Sequence, residues 1–270
     1  MSAEILTVER LWNPGSFLVP QAANALESQT KTPQHKSPRT TFKTDTPGTR
    51  TKNMSVLSLF RKGFTAGKGL LTGLPADIAD RDPIILFSEW FADAQKSGLM
   101  LPESMCLATC TPDGRPSARM VLMKEIEDRS IVFYTNYESR KGQELRSNPR
   151  AAAVFHWIVL QRQVRVEGPV SPVSREQSEK YFRSRDRGSQ IGAWTSCQSR
   201  ELGNRSELEQ REREMRQRFE NQPVTLPDFW GGFRIRVDAI EFWQGRANRL
   251  HDRMRFEWDS GSWAIRRLYP

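Results

Sequence analysis

The chain has 270 residues, 37% of them hydrophobic and 27% charged, with a net charge of +9. That length allows one large domain or two small ones with a sizeable core, and no apolar run approaches the ~20 residues that a membrane-spanning helix needs. The charge argues against a nucleic-acid-binding domain, because residues 1–62 hold nine Lys/Arg against four Asp/Glu and so supply +5 of the +9, and no RNP, zinc-finger or helix-turn-helix pattern accompanies it.

Residues 1–55 are rich in Ser, Thr, Pro, Lys and Gln, as in "SQTKTPQHKSPRTTFKTDTPGTRTKN". Such a segment buries too little apolar surface to offset its ordering entropy and is expected to be a disordered tail. Glu4, Glu9 and Glu27 interrupt it and arginines are sparse early, so it makes a poor mitochondrial presequence. A cytoplasmic location is favoured over a mitochondrial one. Order is expected from about Asp82, where "DPIILFSEWFADAQKSG" offers an N-cap, a proline at the first helical position and apolar residues at helical spacing.

Short strand-like runs follow. "SMCLATCT", "PSARMVLMKEI", "IVFYTN", "AAAVFHWIVL" and "RQVRVEGPVSPV" are separated by turn signals such as "PDG" and "EDRS". Their spacing favours an antiparallel barrel over a parallel sheet. Cys106 and Cys110 read as buried strand cysteines, since no His or second Cys pair stands near them, and no metal site is expected. "ESRKGQELRSNP" predicts a short helix stopped by Asn148-Pro149. "SREQSEKYFRSR" opens with a capping-box pair, Ser174 and Gln177. "SRELGNRSELEQREREMRQRFEN" reads as a solvated surface helix, and "WGGFRIRVDAIEFWQG" and "MRFEWDSGSWAIRRLYP" return to strand alternation and close the sheet. The fold class expected is mixed α+β, mainly β: a barrel with peripheral helices.

Four groups of cationic and hydrogen-bonding residues interrupt this apolar pattern. Arg119 and Lys124 bracket "MVLM" and face opposite ways unless a bulge intervenes. Arg140 and Lys141 sit at a helix start, a natural phosphate site. Tyr181, Arg185 and Ser189 form a third group, the first two on one helix face. The fourth is "FWQGRANRLHDR", where His251 stands between Arg249 and Arg253 and is expected to stay neutral. Each group alone is compatible with a solvated surface. Together they point to two anion sites, because several Arg and Lys spaced through a sheet are costly without anionic partners. The sequence contains no Ser-His-Asp arrangement, P-loop, GxGxxG or HExxH.

"ARMVLMK", "FYTNYESRKGQEL", "RQVRVEGPV", "YFRSRDRGSQIGAW", "CQS", "WGGFRI", "EFWQGRANRLHDR" and the terminal "RRLYP" carry a further reading. In order and spacing they resemble the pyridoxine (pyridoxamine) 5′-phosphate oxidases, from about Phe60 to Pro270. The resemblance implies a homodimer of split β-barrels, with FMN at the subunit interface. It implies that Arg119, Met120, Val121, Leu122, Tyr134, Thr135, Arg140, Lys141, Gln163, Gln198, Ser199, Trp243 and Arg253 hold FMN. It further implies that Lys124, Tyr181, Arg185 and Ser189 hold the substrate phosphate, while Arg249, Leu250 and His251 reach the rest of the substrate.

Under that resemblance, residues 56–81 form a mobile lid segment and 82–270 the oxidase domain. Two departures stand out: "FRKGF" keeps Arg61 but has Phe64 where the family usually has Tyr, and "GAWTSCQS" places Trp194 and Cys197 where other residues are common. The implied activity is oxidation of pyridoxine 5′-phosphate and pyridoxamine 5′-phosphate to pyridoxal 5′-phosphate, with hydride passing to the flavin and oxygen reduced to hydrogen peroxide. The alternative is a non-catalytic flavin- or pyridoxal-phosphate-binding protein on the same barrel.

Overall fold

The computed structural model describes residues 73–75 and 77–270. The expected tail, and the lid segment up to residue 72 with Arg61 and Phe64, lie outside the described residues. Helix α1 (Pro83–Lys96) begins as its sequence requires: Asp82 accepts the N–H groups of Ile84 and Ile85 at 2.7 and 3.1 Å, and Pro83 needs no donor partner at N1. Leu86, Phe87, Trp90, Phe91 and Ala94 are buried on its inner face.

Nine strands follow: β1 (Ser104–Cys110), β2 (Pro116–Glu127), β3 (Ser130–Asn136), β4 (Arg150–Trp157), β5 (Arg162–Pro172), β6 (Trp230–Arg236), β7 (Ala239–Gln244), β8 (Asp252–Asp259) and β9 (Ser262–Leu268). They pair in the order β4-β1-β2-β3-β6-β5-β7-β8-β9, and a further β4–β5 pairing closes the first six into an antiparallel barrel. Strand β5 makes the closure possible by changing neighbours: Arg162–Glu167 pair with β7, whereas Val170–Pro172 pair with β6. Closure removes the exposed strand edges that an open sheet would leave. The barrel core and the inner face of α1 form one cluster, in which Phe87 meets Phe155 and Trp157, and Trp90 stands edge-on to Phe242 at 5.1 Å. No helix among the described residues is long and apolar enough to cross a membrane.

The helices sit on the outside: α2 (Arg140–Ser147), α3 (Arg175–Ser184), α4 (Arg187–Thr195) and α5 (Arg205–Arg218). Helix α2 ends at Asn148, ahead of Pro149, as its sequence implies. Helix α5 has no buried residue, as expected of a solvated helix, and only its C-terminal side meets a second small core through Met215 and Phe219.

Four details differ from the sequence-based expectations. Strand β4 stops at Trp157, because Ile158–Leu160 form a 3₁₀ turn and Gln161 takes a left-handed φ of 53° that reverses the chain into β5. Of the capping box only half forms: Ser174 accepts the N–H of Gln177, but the Gln177 amide turns away to Glu125. Helix α3 ends at Ser184, so Arg185 is its extended C-cap rather than a member of the helical face of Tyr181. Finally, "RGSQIGAWT" forms a separate helix, α4, although Gly188 and Gly192 weaken its helical signal; Asp186 starts it by accepting the Ser189 N–H at 2.8 Å.

Candidate active site

A cavity of about 430 Å³ opens between β2, β3, β6 and the α3–α4 corner. Met120, Val121, Leu122 and Lys124 of β2 line it, with Tyr134 and Thr135 of β3, Lys141 of α2, Tyr181, Arg185, Ser189 and Gln198. The sequence reading missed Asn136, Gly192, Ala193, Ser196 and Trp230, which also line it. Three of the lining side chains are cationic and none is a carboxylate.

Lys124 lies on the face of β2 that also presents Met120 and Leu122 to the cavity, since the three are spaced two residues apart. Met123 faces Phe133 and Glu125 faces Val132, so Lys124 is the extra residue on β2. That bulge does not bring Arg119 to the cavity: Lys124 lines it and Arg119 does not, in keeping with the alternation. Burial lowers the Lys124 pKa, and nearby Arg185 adds to the shift while Glu103 opposes it.

One wall is a stack of three aromatic rings. Tyr134 lies 4.0 Å from Tyr181 and 5.7 Å from Trp230, with interplanar angles of 15° and 10°. Gly232, opposite Tyr134 on β6, makes room for the ring: a Cβ there would lie 2.8 Å from the Tyr134 edge. The Tyr134 hydroxyl donates to Glu125 at 2.6 Å, and burial together with that carboxylate raises its pKa. Burial pushes Tyr181 up to about 12. The Arg185 guanidinium lies 4.8 Å over the Trp230 ring, and its Nη1 is buried without a hydrogen-bond partner. Burial also lowers the Arg185 pKa. A buried, unmatched guanidinium nitrogen is a donor awaiting an acceptor.

At another part of the cavity, Lys141 is held at the second position of α2. Its ammonium donates to Thr135 Oγ1 at 3.0 Å and Gln198 Oε1 at 2.9 Å, both uncharged. Burial, followed by the charge of Arg119, lowers its pKa to about 8. Arg119 and Arg140 are not in the cavity lining. Both turn to Glu144, at 3.3 and 2.8 Å, and Glu144 is 4% exposed. Burial alone would raise its pKa, but hydrogen bonds from Ser117, Thr109, Arg140 and Arg119 bring it down to about 2. The sequence signal for this carboxylate was its position four residues after Arg140 on one helix.

A carboxylate with a depressed pKa stabilises the fold fully above its unfolded value, near 4.5, and loses that contribution as pH falls toward 2. Glu144→Ala would leave two arginines without their counter-ion, at a cost of about 3–5 kcal/mol. The expected result is a Tm lowered by about 2–4 °C per kcal/mol. A Tm within 2 °C of the wild type in a thermal melt at pH 7 would remove Glu144 from this role.

The remaining expected site residues gather elsewhere. Gln163, Trp243 and Arg253 are directly paired across β5, β7 and β8, so they form one row on one face of the sheet. The His251 ring lies 4.6 Å from Trp243, and its Nδ1 accepts the Arg246 N–H at 3.1 Å. That bond puts the proton of a neutral ring on Nε2. Arg253 donates to Glu241 at 2.8 Å and to the Tyr269 carbonyl at 3.0 Å. Arg249 and Leu250 are exposed on the turn before His251, and Ser199 is exposed in the loop after Gln198. None of these residues lines the cavity. Within one chain there are therefore two loci, a cationic cavity and the "FWQGRANRLHDR" face.

Known proteins share this sequence and fold. A family model described as pyridoxamine 5′-phosphate oxidase matches residues 91–219, and the pyridoxine 5′-phosphate oxidase C-terminal dimerisation region matches residues 230–270. The chain belongs to the pyridoxamine 5′-phosphate oxidase family. A pyridoxine/pyridoxamine 5′-phosphate oxidase of Psychromonas ingrahamii is 50% identical over 217 residues, which is 80% of this chain and all of the relative. That of Rubrobacter xylanophilus is 54% identical over 198 residues, covering 73% of this chain and 91% of the relative. Among solved structures, PhzG from Burkholderia lata, in complex with tetrahydrophenazine-1-carboxylic acid, matches with a TM-score of 0.70 and 30% identity, over 74% of this chain and all of that one. These relatives make the chain an oxidoreductase of split-barrel fold.

Proposed function

We propose that this protein oxidises pyridoxine 5′-phosphate and pyridoxamine 5′-phosphate to pyridoxal 5′-phosphate with FMN as cofactor and oxygen as acceptor, and that it works as a homodimer. The observation that carries the reading is a cavity with three cationic side chains, no carboxylate and a buried, unpartnered Arg185 nitrogen. Such a site suits phosphorylated ligands, since buried cations are stable only with counter-charges. Its volume, about 430 Å³, falls in the usual range for a cofactor pocket.

The cations divide into two groups that suit two phosphates. Lys141, with Thr135 and Gln198, would hold the FMN phosphate, and Arg119 and Arg140 would add positive potential behind it from Glu144. Met120, Val121 and Leu122 would lie along the flavin. Lys124, Tyr181, Arg185 and Ser189 would hold the substrate phosphate. When bound, FMN supplies the hydride acceptor and passes the electrons on to oxygen, giving hydrogen peroxide. The chain itself binds and orients: the Tyr134 and Tyr181 rings are braced by Glu125 and Trp230, so the phosphate anchor is rigid before substrate arrives.

The second locus would complete the site from a second copy. The C-terminal family match spans residues 230–270, which contain Trp243, Arg249, Leu250, His251 and Arg253, and its description is a dimerisation region. In this reading Trp243, Gln163 and Arg253 join the FMN site, while Arg249, Leu250 and His251 approach the substrate, with Ser199 at the rim.

Steady-state kinetics with pyridoxine 5′-phosphate tests the division. Lys124→Ala or Arg185→Ala should raise KM at least about tenfold, the loss of a charge-assisted contact worth about 1.5–3 kcal/mol, with FMN still bound. A variant that loses FMN but keeps a normal KM would show the two phosphates assigned the wrong way round. A wild-type protein that neither binds FMN nor oxidises either substrate would end the proposal.

A further inference from the structure

The turn that carries Arg249 is held in an unfavourable shape. Asn248 and Arg249 have φ of 56° and 62°, two successive non-glycine residues in the left-handed region. Such conformations are uncommon outside glycine and Asn, so that of Arg249 in particular persists only where the surroundings fix it. Among the described residues the fixing contacts are few. Leu250 N–H closes back on the Ala247 carbonyl at 3.2 Å, and Arg246 N–H donates to His251 Nδ1 at 3.1 Å.

The remaining ties converge on one carboxylate. Asp252 Oδ2 lies 3.8 Å from Arg246 Nη1 and accepts the Leu74 N–H at 3.4 Å, while its Oδ1 pairs with Arg267 Nη1 at 3.3 Å. Asp252 thus joins the start of the described chain, the first residue of the turn and strand β9. Gly73 packs directly on this junction in a left-handed conformation, φ 62°, and a Cβ there would lie 2.3 Å from Arg246 Nη1 and 2.7 Å from Asp252 Oδ2. The φ strains any residue but glycine there, and a Cβ would have to push the ends of the Arg246 and Asp252 side chains aside.

We infer that Asp252 is a positioning residue for the substrate-side turn: it holds Arg246, through Arg246 it holds the His251 ring, and with it the strained Asn248–Arg249 backbone. The inference rests on the proposed function, in which Arg249 and His251 meet substrate. Without the Asp252 carboxylate, Arg246 is tethered, among the described residues, only by its backbone, and the turn can relax to ordinary dihedrals. Arg249 and His251 then move from the reactive geometry while the cavity that holds phosphate is untouched. A displacement of about 1 Å in such a geometry can cost roughly a hundredfold in rate.

The test compares Asp252→Asn, His251→Ala and the double variant as FMN-loaded enzymes, with wild type alongside. Asp252→Asn should keep its flavin and its Tm within about 3 °C, yet lose at least about tenfold in kcat/KM. The double variant should be no worse than His251→Ala alone, because both changes disable one unit. Gly73→Ala, which disturbs the same junction from the other side, should show the same non-additivity with His251→Ala. Asn248→Gly, which removes the left-handed penalty, should keep at least half of wild-type activity.

Additive losses would reduce Asp252 to general structural support and overturn the inference. So would wild-type kinetics in both Asp252→Asn and Gly73→Ala. If Asp252→Asn does not fold, the Gly73→Ala pair decides alone. A wild-type enzyme inactive on both substrates would instead signal failure of the functional reading.

Discussion

Lys141→Ala is expected to weaken FMN binding by roughly 10- to 150-fold, the equivalent of about 1.5–3 kcal/mol for a charge-assisted phosphate contact. Lys141 is singled out over Arg140 by their partners. Arg140 already has the buried Glu144 carboxylate at 2.8 Å, whereas the Lys141 ammonium meets the neutral oxygens of Thr135, Gln198 and Ser139. Arg140→Ala should therefore weaken FMN by less. Fluorescence titration of the apoprotein with FMN measures both, and unchanged affinity in Lys141→Ala would remove it from the phosphate site.

The same residue sets a pH dependence. Its folded pKa, about 8, lies below the ordinary 10.5, so between these values the unfolded chain binds more protons than the folded one. Charged Lys141 is therefore a cost to the apoprotein that is full below pH 8 and relieved as pH rises toward 10.5. FMN binding runs the other way, since a phosphate favours the charged amine. Affinity for FMN should fall as pH climbs above 8, and this slope should vanish in Lys141→Ala.

The sequence revealed the barrel because its information is local. Strand alternation, "PDG" and "EDRS" turns, and the Asp82-Pro83 start of α1 each act over a few residues, and each appears where it was expected. What it could not reveal depends on pairing. Glu125 comes to the Tyr134 hydroxyl across a bulge, where β2 carries one residue more than β3, a register effect that β2 alone does not encode. Helix α4 was missed because Gly188 and Gly192 dilute its pattern, while its Asp186 cap and Ile191 packing supply the missing stability. The anion chemistry was legible as four cationic groups, but not the Glu144 carboxylate that takes Arg119 and Arg140 away from the cavity. Nor does any local pattern say that "FWQGRANRLHDR" does not line its own chain's cavity.

That separation yields the sharpest test of the dimer. Lys124→Ala damages the cavity and His251→Ala damages the C-terminal face, so each homodimer should have both of its sites impaired. If each site combines the cavity of one copy with the C-terminal face of the other, a heterodimer of the two variants has one site with both lesions and one with neither. Heterodimers purified through two different tags should then regain about half of wild-type kcat/KM per dimer, from two variants that are each at least about tenfold impaired. If cavity and C-terminal face served the same chain's site, every site in the heterodimer would carry one lesion and no activity would return. The two arrangements differ at least fivefold in a single assay. Recovery to about half requires that His251 act on substrate bound at the partner's Lys124, which gives the crowded C-terminal sequence its function across the subunit boundary.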